Sequence, residues 1–136
     1  STNRPVLVAA RAFKPINRIL VAFDGGRSSY GAIEYVASNK LYSQLECHVV
    51  IAGKEGGRGH KQSTHAENLL KKAGIKYQVF FERGEPEKVI SDHVEQYNID
   101  LLVMGAYGHS RIRNLMIGST TTQMIRSCLV PVLLFR

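Results

Sequence analysis

The chain has 136 residues, 44% of them hydrophobic, and a formal net charge of +7 from 18 lysines and arginines against 11 acidic residues. That length fits one domain able to bury about two-thirds of its unfolded surface, so no disulfide or metal staple is needed. No apolar run is long enough to span a bilayer, the two cysteines (Cys47 and Cys128) read as buried thiols of a reducing compartment, and no His/Cys set has zinc spacing. The chain does not start with a charged segment running into an apolar one, and the expected location is the cytoplasm. Basic residues are spread along the chain without an aromatic-interleaved stripe. A small polyanionic ligand accounts for the charge as well as nucleic acid does, and nucleic acid is not the expected partner.

In chain order, the first strand-like run is NRPVLVAAR (Asn3–Arg11). Its Pro5-Val6-Leu7 repeats the Pro131-Val132-Leu133 of the C-terminal run. Residues 1–17 are therefore expected to form an extra strand and linker, the tail of a preceding copy, with the domain proper over 18–136. The leading strand would pair near the C-terminal edge strand, within the chain or between chains. RILVAFD (Arg18–Asp24) predicts a strand ending in a turn, and Ser28–Lys40 a helix with Ile33, Val36 and Ala37 on one face. LECHVVIAG (Leu45–Gly53) is a second strand, and Lys54–Ser63 a glycine-rich loop. Thr64 and Glu67 have capping-box spacing and predict a short helix up to Gly74, its inner face Ala66, Leu69, Leu70 and Ala73. Lys76–Gly84 is a third strand. Pro86 opens a helix with Ile90, Val94 and Tyr97 inward. Asp100–Gly105 is apolar enough to be buried on both faces; Ser119–Cys128 is a helix; and Pro131 marks the start of the last strand or a place on a sheet edge.

The rhythm predicts an α/β fold: a doubly wound, mostly parallel five-stranded sheet with helices on both faces, plus the extra N-terminal strand. In such sheets ligands bind beyond the carboxyl ends of the strands, where strand order reverses. Two strand ends stand out, at Asp24 and at Met104-Gly105. The second opens GAYGHSRIRNLMIGST (Gly105–Thr120). Gly105 and Gly108 let backbone N–H groups approach an anion, and Gly118, Ser119 and Thr120 begin the last long helix, whose free N–H groups favour phosphate. His109, Arg111 and Arg113 add positive charge. The stretch is neither a Walker loop nor G-x-G-x-x-G, which sets aside the usual kinase, GTPase and dinucleotide readings. Asp24 suits ribose hydroxyls, with the alternative that it braces the turn into the next helix. Of the histidines only His109 falls at a ligand position. His48 reads as a strand residue, His93 as a half-buried helix residue, and His60 and His65 flank the glycine loop.

On Gly105, Gly108, Gly118 and Ser119 (Gly, two residues, Gly, nine residues, Gly-Ser), together with VAFDGG (Val21–Gly26), the chain resembles the universal stress protein family from Arg18 to Arg136. The resemblance implies ATP, with or without Mg or Mn, and a homodimer through the C-terminal edge strand. It implies a contact set of Ala22, Phe23, Asp24, Ile51, Met104, Gly105, Gly108, His109, Arg111, Gly118, Ser119 and Thr120. Gly26 departs from the serine that many members carry, and the short Gly53–Lys76 connection implies a reduced helix and lid over the adenine side. The expected role is sensing or regulation in a stress response. The alternatives are a slow ATPase or nucleotidyl-transfer relative, for which no general base with a partner is visible near the motif, and a nucleotide-free interaction module.

Overall fold

The computed structural model describes residues 6–8, 15–53, 57–105 and 130–135. Six strands form one sheet: β1 (Val6–Val8), β2 (Arg18–Ala22), β3 (Glu46–Ala52), β4 (Tyr77–Glu82), β5 (Leu101–Gly105) and β6 (Val132–Phe135), in the spatial order β1-β6-β5-β2-β3-β4. Strands β2 to β6 are mutually parallel, and β1 alone runs antiparallel, Leu7 opposite Leu133. Between them lie α1 (Arg27–Ser38), α2 (Arg58–Lys72) and α3 (Pro86–Gln96), with a 3₁₀ turn at Lys40–Tyr42.

The alternation of side chains along the central strands builds two cores. Ile19, Val21 and Phe23 of β2 and its end, with Val49 and Ile51 of β3, face α1 and α2 and meet Ala32, Ile33, Val36, Ala66 and Leu70. Leu20 and Ala22, with Val50, Leu102 and Met104, face the other way and meet Ile90 of α3. Each buried Val, Leu, Ile, Phe or Met side chain here contributes about 1.5–3 kcal/mol on burial. Edge strand β4 has no fully buried residue, and its Phe81 is exposed. Cys47 on β3 is sealed in the first core, and burial pushes its thiol up to about 12. Cys128 lies outside the described residues, as does the helix expected over Ser119–Cys128.

Two expectations are corrected. Helix α2 starts at Arg58, not Thr64, and has 15 residues, so the helix between β3 and β4 is not reduced. Thr64 is exposed in mid-helix and caps nothing; the N-cap is Gly57, without a side-chain bond. Tertiary contact overrides the poor helix propensity of RGHKQS here. A Cβ on Gly59 would stand 3.0 Å from Ile51 Cγ2 and 3.2 Å from the Asp24 carbonyl carbon, so glycine lets the first turn settle on those strand ends. The second correction concerns β6, which is not an edge strand: β5 pairs with one side and β1 with the other. Pro131 precedes it and accepts a bond from Leu102 N–H at 3.0 Å.

The amino end of the sheet is tied by polar bonds. Asp100 Oδ2 accepts from the N–H groups of Asn17 (2.9 Å) and Arg18 (3.0 Å). Arg18 Nε donates to Glu46 Oε2 at 2.7 Å, and its Nη1 donates to the Tyr97 carbonyl. The guanidinium holds the Glu46 carboxyl below its ordinary pKa.

Candidate functional site

Strand order reverses between β2 and β5. From β2 the chain builds outward through β3 to β4, then returns to place β5 on the other side of β2, with Ala22 opposite Met104. Asp24 and Gly105, the two strand ends singled out in the sequence, therefore share one crevice at the carboxyl edge.

The floor of this crevice is closed core. Ala22, Phe23 and Met104 are 0% exposed and Ile51 is 6% exposed, so the side chains of these four belong to the core. The Phe23 N–H is already given to the Val50 carbonyl at 2.9 Å. Gly105 has a packing duty: a Cβ there would lie 2.6 Å from Ser28 Cβ and 2.9 Å from Ser29 N, so the first turn of α1 rests directly on the end of β5.

Asp24 organises the turn between β2 and α1. Its Oδ1 accepts from Gly26 N–H at 2.8 Å and from the Ser29 hydroxyl at 2.9 Å. Gly25 takes φ 81, the left-handed conformation that glycine adopts without strain. These bonds match the turn-bracing alternative and fall on one oxygen, Oδ1. Gly26 is the N-cap of α1 and has no side-chain cap bond.

None of the three helices has a side-chain bond at its N-cap; α1 and α2 also lack an acidic residue in the first turn, where α3 has Glu87. An uncapped N-terminus keeps N–H groups and the positive end of the helix dipole free for an anion. Two such ends reach the crevice: α1 through Ser28 and Ser29 over Gly105, α2 through Gly59 over Asp24 and Ile51. Gly108, His109, Arg111, Gly118, Ser119 and Thr120 lie outside the described residues, and so does Arg113. The described contact residues Ala22, Phe23, Asp24, Ile51, Met104 and Gly105 are brought to one edge of the sheet. Among the described residues no group of three or more His, Cys, Asp or Glu side chains forms a metal site, and no helix is long and apolar enough to cross a membrane.

One cluster escaped the sequence. His48 Nδ1 lies 2.8 Å from His93 Nε2, with both residues buried. The signal was present in two separate patterns. His48 shares the period-2 face of Val50, and His93 shares the helical face of Ile90 and Tyr97. Nothing local says that these faces meet.

An open, mostly parallel sheet with its switch-point crevice between two uncapped helix ends defines the class of α/β proteins that bind ligands at strand ends. Within that class the chain belongs to the universal stress protein family, whose model matches residues 15–136. It is 41% identical over 138 residues to the universal stress protein Slr1230 of Synechocystis sp., covering 100% of this chain and 48% of that protein. The chain thus spans about half the length of that relative. A universal stress protein structure from Archaeoglobus fulgidus is similar at TM-score 0.76 and 26% identity, covering 100% of this chain and 50% of that one. A universal stress protein in complex with cAMP is similar in fold at TM-score 0.72 and 22% identity, over 90% of this chain and 98% of that one.

Proposed function

We propose that the chain is an ATP-binding regulatory domain of a stress response, acting in the cytoplasm, with nucleotide occupancy as its signal. The observation that carries this reading is the convergence of two uncapped helix N-termini on the crevice that Asp24 and Gly105 share. The Gly105, Gly108, Gly118, Ser119 spacing and the cAMP complex of a relative point the same way. In this reading Asp24 holds the ribose through the oxygen not used in the turn. The main chain at Ala22, Phe23, Ile51 and Met104 borders the base, and Gly105, Gly108, His109, Arg111, Gly118, Ser119 and Thr120 surround ribose and phosphates. Mg or Mn accompanies the phosphates without a protein metal cage.

The test is thermal unfolding with ATP, with and without Mg. At a hundred times its Kd, ATP stabilises the fold by about 2.7 kcal/mol, and Gly118→Ala reduces that gain. No shift for the native chain sinks the proposal. Turnover above about one ATP per second would make the domain an enzyme instead. A nucleotide-free interaction module is the second reading, favoured by the close seating of Gly59 on Asp24, which narrows the crevice on the β3 side. It predicts no change of oligomer size with ATP. A homodimer through β6 is part of the proposal only if β1 gives up its place beside that strand.

A further inference from the structure

We propose that His48 and His93 form an acid-released latch that holds α3 on the sheet. The two residues are 45 positions apart, on β3 and α3, and their facing ring nitrogens are 2.8 Å apart. His48 is 3% exposed and His93 4%. Phe80 and Tyr97 complete an aromatic box, with ring centroids 4.6 Å and 4.3 Å from that of His93. Apart from this bond and the one from Arg18 Nη1 to the Tyr97 carbonyl at the end of the helix, α3 is held by apolar packing, chiefly the fully buried Ile90. The bond therefore carries weight in fixing the second half of the helix.

An N–H···N bond needs one bare ring nitrogen as acceptor. One added proton leaves the bond possible: the second imidazole still accepts, and Glu46 lies 3.7 Å from His48 Nε2 to balance the charge. A second proton removes the last acceptor and sets two buried cations face to face, which the interior does not tolerate. Among the described residues no carboxylate bonds to His93 to relieve that state. Arg18 on β2 is a cation already paired with Glu46. Asp92 on α3 is paired with Lys88 at 3.0 Å. Glu82, Arg83 and Glu85, at the end of β4 and in the turn after it, line the cleft of about 340 Å³ above His93 and Tyr97 with charges of both signs.

The titration directions agree with the geometry. Burial, reinforced by His48, lowers His93 to about 4, and burial lowers His48 against the opposing pull of Glu46. A histidine with a lowered folded pKa stabilises the fold in full above the ordinary imidazole value, and that contribution is lost as pH falls through the folded value. The latch therefore stays closed through the first proton and opens on the second, as pH falls from the ordinary imidazole value toward about 4.

Hydrogen exchange of the full chain at pH 7, 5.5 and 4.5, corrected for intrinsic rates, tests the latch directly. The expected result is that peptides of α3 lose protection at least tenfold between pH 5.5 and 4.5 while those of α1, on the opposite face, keep theirs. His93→Gln, which retains an amide group but cannot titrate, abolishes the step. Simultaneous loss in α1 and α3, unchanged protection of α3, or a step that persists in His93→Gln overturns the proposal. Should His93→Gln fail to fold, ring-nitrogen NMR of the native chain decides. A neutral His93 ring at pH 6 that charges together with α3 exchange supports the latch, and a ring already cationic at pH 6 overturns it.

Discussion

The two ends of the sheet solve the same problem in opposite ways. Both carry the cut backbone groups that strands and helices leave at their termini. At the amino end these groups are answered from within the chain. Asp100 takes two N–H groups, and Arg18 bridges Glu46 and the Tyr97 carbonyl. At the carboxyl end, α1 and α2 begin without side-chain caps, and glycines at 59 and 105 let them come down onto the strand ends. Free N–H groups at helix starts suit an anion from outside, which is why the proposed ligand is placed at this end. That is the physical content of placing a ligand at one pole and structural bonding at the other.

The comparison is most sharply broken by acid. His93, lowered to about 4, stays neutral in the fold while an unfolded imidazole takes its proton near 6.5, so folding becomes weaker as pH falls between these values. We expect urea titrations to lose up to roughly 3 kcal/mol across that window, and His93→Gln to flatten the curve. Next in size, Gly105→Ala drives a methyl into Ser28 and should cost about 2 kcal/mol in chemical denaturation, reducing the ATP-induced thermal shift as well. Asp100→Ala at the opposite pole leaves two N–H groups without their acceptor. It should cost about 1 kcal/mol yet leave the ATP-induced shift unchanged, and a lost shift would mean that the poles are not separate. Asp24→Asn keeps an oxygen for Gly26 N–H, so its stability should move by less than about 0.5 kcal/mol while ATP affinity falls in calorimetry. An unaltered affinity would reduce Asp24 to a turn brace.

Much of the architecture was legible because strong periodic signals survive packing. The runs at Ile19–Ala22 and Leu101–Gly105 are apolar throughout, and they lie in the two central strands that meet at the switch point. The start of α2 was hidden. Gly59 is a weak helix residue, and what lets it stand in the first turn is a seat on Asp24 and Ile51, which belong to other elements. The pairing of β1 with β6 was expected from the repeat of Pro-Val-Leu; that it takes β6 off the sheet edge was not drawn from it. Half of the candidate site rested on two short signals, a strand-end aspartate and a strand-end glycine, and the structure sets both at one crevice. It also gives Asp24 the turn-bracing duty that the sequence left as an alternative, and Gly105 a packing duty beneath α1. The histidine pair illustrates the limit: two side chains, each unremarkable in its own segment, acquire chemistry only through contact across 45 positions.

Cys47 turns the sealed core into a timer. With no exposed surface and a thiol raised to about 12, it holds almost no reactive thiolate at neutral pH, so an alkylating reagent reaches it only when the sheet parts. Its labelling rate in the native chain, read peptide by peptide, counts those openings without any substitution. A bound nucleotide that slowed the count would be acting on the whole central sheet and not only on the crevice at its edge.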